Sequence, residues 1–521
     1  MTWTRYLARR PDTQLLSPNG TPDPPAPDAP RAVVIGAGFG GLAAAVRLLA
    51  RGYRVTVLDR LDQPGGRARV FRQDGFTFDA GPTVITAPFL FEELWQLMGC
   101  RLADDVDLVP ISPFYRIRFP GGEVFNYTGD ADAMREEVRR FAPGDVAGYE
   151  RFVEKSEEIF EVGFEELGHA PFSRLRDMLK IVPAMVRLGS YRTVHGMVAR
   201  YIDDERLRRV FSFHPLLVGG NPFTTTSIYA LILFLERKWG VHYAMGGTGA
   251  LVDGLASLIT EHGGQLRLGA DVDAITLDGG DRASGVRLRS GEHLKADLVV
   301  SNADVTATYR DLLPDSAAPR ARQRLKRARH SMSLFVWYFG TRRTYDDVAH
   351  HTILMGERYE ELLDDIFHRK TLADDFSLYL HRPTATDPSM APNGCDAFYV
   401  LSPVPHLESG DPWDEEQAER YRPKIARYLG ETVLPGLEDE IVTSRTLTPR
   451  GFRDDYRSVK GAAFSLEPVL RQSAYFRPHN ASADVDDLYV VGAGTHPGAG
   501  LPGVLSSARV LDTVAPDPEA F

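Results

Sequence analysis

Cysteine is almost missing from this chain. Its 521 residues include two, Cys100 and Cys395, far apart and in no CxxC pair. That excludes a disulfide framework and a cysteine zinc site, suits a reducing compartment, and leaves no metal site to name. No apolar run reaches the about 18 residues that a membrane-spanning helix needs. The first residues lack the apolar core of a signal peptide, so none is expected. Positive charge is also short: 60 Lys and Arg against 71 Asp and Glu leave −11, which argues against nucleic acid as a partner. What remains is ordinary for a soluble globular protein, with 43% hydrophobic and 25% charged residues. The length exceeds one simple core, so two or more domains are expected. Residues 1–30 read as a disordered Pro-rich tail, because prolines 18, 22, 24, 25, 27 and 30 oppose helix and sheet.

The stretch 31–60 reads RAVVIGAGFGGLAAAVRLLARGYRVTVLDR. A short β-branched run at 32–35 predicts a buried strand. Gly36-Ala37-Gly38-Phe39-Gly40-Gly41 follows at once, then a helix of small residues, then a second strand closing on Asp59. A GxGxxG between strand and helix, with an acid ending the next strand, is what a dinucleotide site requires. Gly36 permits the tight turn, Gly38 lets backbone approach a pyrophosphate, and Gly41 allows close helix–strand packing. The helix N-terminus offers free N–H groups to phosphates. Asp59 would hold ribose hydroxyls.

Further blocks fit the same site. The loop at 63–68 carries Gly66 and Arg67, a planar fork suited to a diphosphate. Residues 76–86 read as a strand ending at Gly81-Pro82, then a strand-like run from Thr83 that returns toward the cofactor. The glycine-started helix at 251–262, the strand with Val272 and the turn at Asn302 have the style of an adenine end. Near the C-terminus a strand runs into Gly492, Gly494 and Thr495, and Pro502-Gly503-Val504 opens a last helix; proline suits its first turn. That N-terminus can face an anion. There is no second GxGxxG, so no separate nicotinamide domain is expected. Residues 131–210 read as largely helical. Within them, 174–198 is basic and amphipathic, with Met178, Ile181 and Met185 among its apolar residues and Pro183 as a kink. Such a segment suits a membrane interface or an ordinary packed surface.

Together VIGAGFGGLAAAVRL at 34–48, PGGRA at 64–68, FTFDAGPTVIT at 76–86, FSFHPLLVGGNPF at 211–223, GGTGALVDGL at 246–255, SNADV at 301–305, FSLEPVL at 464–470 and LYVVGAGTHPGAGLPGV at 488–504 resemble the bacterial-type phytoene desaturases. The resemblance runs from Arg31 to about Val514. One departure is Asp487, where that family more often has Asn. The resemblance implies an α/β flavin amine-oxidase fold. Its FAD-binding Rossmann-like domain would be discontinuous (31–110, 241–310 and 471–521). A mixed-sheet substrate domain with a helical membrane-facing part would take 111–240 and 311–470. It also implies FAD as cofactor and a substrate, 15-cis-phytoene, drawn from a membrane. Successive dehydrogenation would give lycopene or an earlier product such as neurosporene, through later polyene intermediates. Peripheral attachment to the cytoplasmic face follows, with quinone or oxygen as electron acceptor.

Removing hydrogen from an unactivated allylic bond needs a strong hydride acceptor, which the flavin supplies, and a place for the proton. Asp177, in an apolar and basic surround, and His496, in the last glycine motif, are the candidate catalytic groups. Rival readings are a carotenoid cis–trans isomerase on the same fold, a prenyl-lipid carrier without flavin, and an amine oxidase. The last would need an aromatic cage that the sequence does not place.

Overall fold

A computed structural model describes residues 22, 24–166, 168, 171 and 175–521, excluding the side chains of 166 and 175–177. Most of the tail predicted at 1–30 therefore lies outside the described residues. Its last part is not disordered: the carbonyls of Pro27 and Pro30 accept from the Arg54 side chain and backbone.

Five parallel strands form the first sheet, in the order Leu488–Val490, Leu298–Ser301, Arg31–Ile35, Arg54–Leu58, Gln265–Arg267. They are short apolar runs because both faces of a parallel sheet are covered. One face packs under the helices Phe39–Ala50, Pro88–Leu97, Thr248–Glu261 and Leu501–Arg509. The other packs against the antiparallel strands Val272–Asp278, Arg282–Leu288 and His293–Lys295. Leu312, Leu313 and Leu325 join this second core, so the first lobe continues beyond residue 310. The helix expected to begin at Leu251 begins at Thr248, whose N–H donates to Asp79 Oδ1 at 2.7 Å.

The second lobe is built on a mixed seven-stranded sheet. Its order is Ile441–Leu447, Ser333–Thr341, Asp396–Val404, Leu378–His381, His351–Leu354, Tyr115–Arg118, Val124–Tyr127. The strand Ser333–Thr341 is buried throughout and alternates between two cores. Leu334, Val336 and Tyr338 face the helical part. Phe335, Trp337 and Phe339 face the helix Glu415–Thr432. Period-2 alternation between two apolar faces leaves an unbroken apolar sequence.

Two expectations change. Residues 83–86 form no strand, only one isolated pairing of Ile85 with His242. The segment 174–198 is not one helix. It is the helix Leu175–Leu188, with Pro183 inside, then a break at Gly189 (φ 75°), then Val194–Val198, whose Gly196 N–H is capped by Thr193 Oγ at 3.0 Å. A left-handed glycine followed by a hydroxyl cap is a helix stop and restart. Among the described residues no helix is long and apolar enough to cross a membrane.

Candidate active site

Between the lobes lies a continuous cavity of about 800 Å³. Its wall includes the glycine loop and also the apolar side chains of Ile228, Ile232, Leu334, Val336 and Met355.

The loop is built as its spacing requires. Gly36 stands at φ 95°, with its N–H on the Leu58 carbonyl at 2.7 Å. Gly38 precedes the helix Phe39–Ala50, whose first turn has no capping side chain and no acid. Its N–H groups are thus left for a ligand. A Cβ on Gly40 would meet Asn302 Oδ1 at 2.5 Å and Gly492 Cα at 3.1 Å. Asn302 wedges the two glycine loops together, and its Nδ2 donates to the Gly36 carbonyl at 3.4 Å. Gly41 is different: it does not line the cavity, and a Cβ there would stand 1.9 Å from the Gly36 oxygen. Its role is packing.

Asp59 sits at the end of the second strand with each oxygen on a backbone N–H, Ala37 at 2.7 Å and Leu61 at 2.8 Å. Burial raises its pKa while those N–H groups pull it down. Phe39, Gly66, Gly81, Pro82 and Val272 line the same cavity. So does Arg67, which donates to Ser458 Oγ at 2.7 Å and keeps a buried Nε with no hydrogen-bond partner. Burial lowers its pKa. A buried cation with an unspent donor in a groove asks for an anion.

The C-terminal block closes the groove. Gly492 (φ 98°), Gly494, His496, Pro502, Gly503 and Val504 line it, the last three at the N-terminus of the helix Leu501–Arg509. Thr495 does not. It is fully buried, and its hydroxyl donates to the Gly492 carbonyl at 3.2 Å, so it braces the loop from behind. Asp177 falls among the residues whose side chains are not described. Sequence reasoning missed Arg477, wholly buried, which donates to the carbonyls of Ala493 and Thr495 at 2.7 and 2.9 Å. A lone arginine outside any motif gives no signal.

It also missed a polar cluster in the cavity wall. Thr83 Oγ lies 2.6 Å from Tyr399 Oη and 3.2 Å from Tyr379 Oη, and Tyr379 Oη is 2.7 Å from His351 Nδ1. His350 and His381 stand behind, and burial lowers the pKa of all three imidazoles. Their strands are far apart in sequence, so no spacing announces them.

An uncapped helix N-terminus, a glycine cradle that a Cβ would fill and a buried unspent arginine fit the phosphates of FAD. Residues 39–510 match the flavin containing amine oxidoreductase family. A lycopene-forming phytoene desaturase of Paracoccus sp. is 50% identical over 94% of this chain and 97% of its own length. A neurosporene-forming phytoene desaturase of Rhodobacter capsulatus is 49% identical over 94% of each chain. Among solved structures, an oxidoreductase from Methanosarcina mazei aligns with a TM-score of 0.63 at 18% identity, covering 93% of this chain and 100% of that one. Putrescine oxidase bound to putrescine aligns at 0.62 and 14%, covering 94% and 99%. These two show the fold. The chain belongs to the flavin containing amine oxidoreductases and, within them, to the bacterial phytoene desaturases.

Proposed function

We propose that this protein desaturates 15-cis-phytoene by successive dehydrogenation, to lycopene or to an earlier product such as neurosporene, in carotenoid biosynthesis. FAD is the cofactor and supplies the hydride acceptor. The observation that carries the reading is one cavity whose wall combines two chemistries, the glycine-loop backbone and a large set of apolar side chains. Gly38, Gly40 and the helix N-terminus would hold the diphosphate, Asp59 the ribose, and Arg67 an anionic part of the cofactor. Leu334, Val336, Met355 and Leu401 exclude water and align an extended hydrocarbon.

The substrate is drawn from a membrane through the helix Leu175–Leu188. Its Leu179 and Val186 are 62% and 61% exposed, Val182 lies beside them, and Lys180 and Arg187 flank them. An exposed apolar stripe flanked by cations suits an anionic lipid interface. On the same reading the protein binds peripherally at the cytoplasmic face of the membrane and passes electrons to quinone or oxygen.

The test is anaerobic incubation of FAD-loaded protein with phytoene in liposomes. Flavin absorbance near about 450 nm should bleach as conjugated polyenes form. Geometric isomers at constant hydrogen count would indicate an isomerase, and unchanged phytoene a different isoprenoid substrate.

A further inference from the structure

Making a C=C bond from a C–C bond releases a proton as well as a hydride. The acids on the cavity wall are unevenly placed. Asp59, Asp271, Asp273, Asp304 and Asp311 lie in the dinucleotide lobe, Asp311 held by Arg310 at 2.6 Å, and Asp455 is held by Arg69 at 2.6 Å. On the apolar wall, among the residues whose side chains are described, the carboxylate is Glu236.

Glu236 lies on the helix Leu231–Trp239, fully buried, beside Ile232 and Leu235, which also line the cavity. A carboxylate in that setting persists only with partners. It has two: Tyr115 Oη donates to Oε1 at 2.7 Å, and His214 Nε2 lies 3.1 Å from Oε2. A carboxylate offers about four lone-pair sites, so these two contacts do not exhaust it. Such a group is a poor stability device, because apolar residues of the same volume would fill the space as well or better.

We propose that Glu236 is the catalytic base of the desaturation. One carbon gives its hydride to the oxidised flavin, which is reduced. The neighbouring carbon gives its proton to the Glu236 carboxylate, and the electron pair of that C–H bond becomes the new π bond. The proton rests on Glu236 as the carboxylic acid at the end of that step. Tyr115 and His214 are positioning residues. The inference rests on the desaturase reading above.

The titratable and charged groups around Glu236 are Tyr115, Tyr127 and His214, with His351 beyond, its ring 5.9 Å from that of Tyr115. Burial and the Glu236 charge push both tyrosines well above their ordinary range, so they stay neutral and one donates. Arg237, next on the helix, donates to Tyr149 Oη at 3.1 Å. A base that must be ionised to accept a proton gives the rate an acid limb.

The experiment is single-turnover flavin bleaching by phytoene in liposomes across pH, in FAD-loaded protein. The parent must bleach and form polyenes; failure there would remove the desaturase reading and not this assignment alone. Glu236→Gln should keep its flavin and still retain phytoene. Its bleaching should slow by about 10²–10⁴-fold and lose the acid limb. Glu236→Asp should recover part of both. Tyr115→Phe, with one hydrogen bond fewer to the carboxylate, should move the limb to higher pH. Parental bleaching in Glu236→Gln, or slowing with the limb intact, would overturn the proposal. Should Glu236→Gln fail to hold FAD, an unshifted limb in both Glu236→Asp and Tyr115→Phe would overturn it. So would loss of the limb in Asp177→Asn.

Discussion

At Gly41 a methyl group would stand 1.9 Å from the Gly36 carbonyl oxygen, a backbone atom that cannot swing aside. Gly41→Ala should therefore open the loop and yield protein with little flavin absorbance. Gly121→Ala, where a Cβ meets nothing within 4 Å, should keep its full flavin content. Asp79 makes a pH prediction. Burial pushes its carboxyl up to about 7, although the N–H groups of Thr248 and Gly249 pull it down. For an acid raised in the folded state, the native protein keeps a proton that the unfolded chain releases. Stability then falls as pH rises from about 4 to about 7 and levels off above. Asp79→Asn keeps the acceptor for Thr248 and removes the titration. The parent's melting temperature should drop relative to the variant's across that window, and a constant difference would contradict the assignment.

The helix Leu175–Leu188 shows what a sequence pattern holds and what it hides. Its apolar, basic character was legible; which residues face outward was not, because it is apolar on two sides. Met178, Ile181 and Met185, singled out among its apolar residues, line the cavity, while Leu179, Val182 and Val186 face out. Helical period alone cannot rank two apolar stripes when one meets an internal channel. The expected consequences separate cleanly. Leu179→Asp or Val186→Asp should weaken liposome binding by about 2 kcal/mol, or about thirtyfold, with flavin content unchanged. Met185→Asp should leave liposome binding intact and block polyene formation. Equal liposome binding in all three would remove this helix from the interface. Motifs that act through backbone were readable, as the glycine loop, Asp59 and the helix at Pro502 show, since glycine and proline report backbone geometry directly. Sites made by side chains from distant strands were not. Tyr379, Tyr399 and His351 meet only because the seven-stranded sheet pairs residues His351 and His381, and Glu236 meets Tyr115 across 121 positions.

The groove proposed for the flavin is lined by stretches scattered over the whole chain: the glycine loop, Asp59 to Arg67, the strand at Val272, the turn at Asn302 and the last glycine block. None of them is held in place by the groove alone. Asn302 donates to the Gly36 carbonyl and would be met by a Cβ on Gly36, Gly38, Gly40 or Gly492, so each loop depends on the others' positions. A ligand that binds only this assembled form stabilises it by mass action, about 2.7 kcal/mol at a hundredfold excess over its dissociation constant. For a large domain that corresponds to roughly 5 °C in melting temperature. The gain should also be local. On adding FAD to apo protein, hydrogen exchange should slow at 36–41, 65–67 and 492–504 and stay the same at Ser333–Thr341, whose two cores are complete without the cofactor. Equal slowing in both regions would mean that FAD is required to fold the second lobe as well, and that the seven-stranded sheet is not an independent platform.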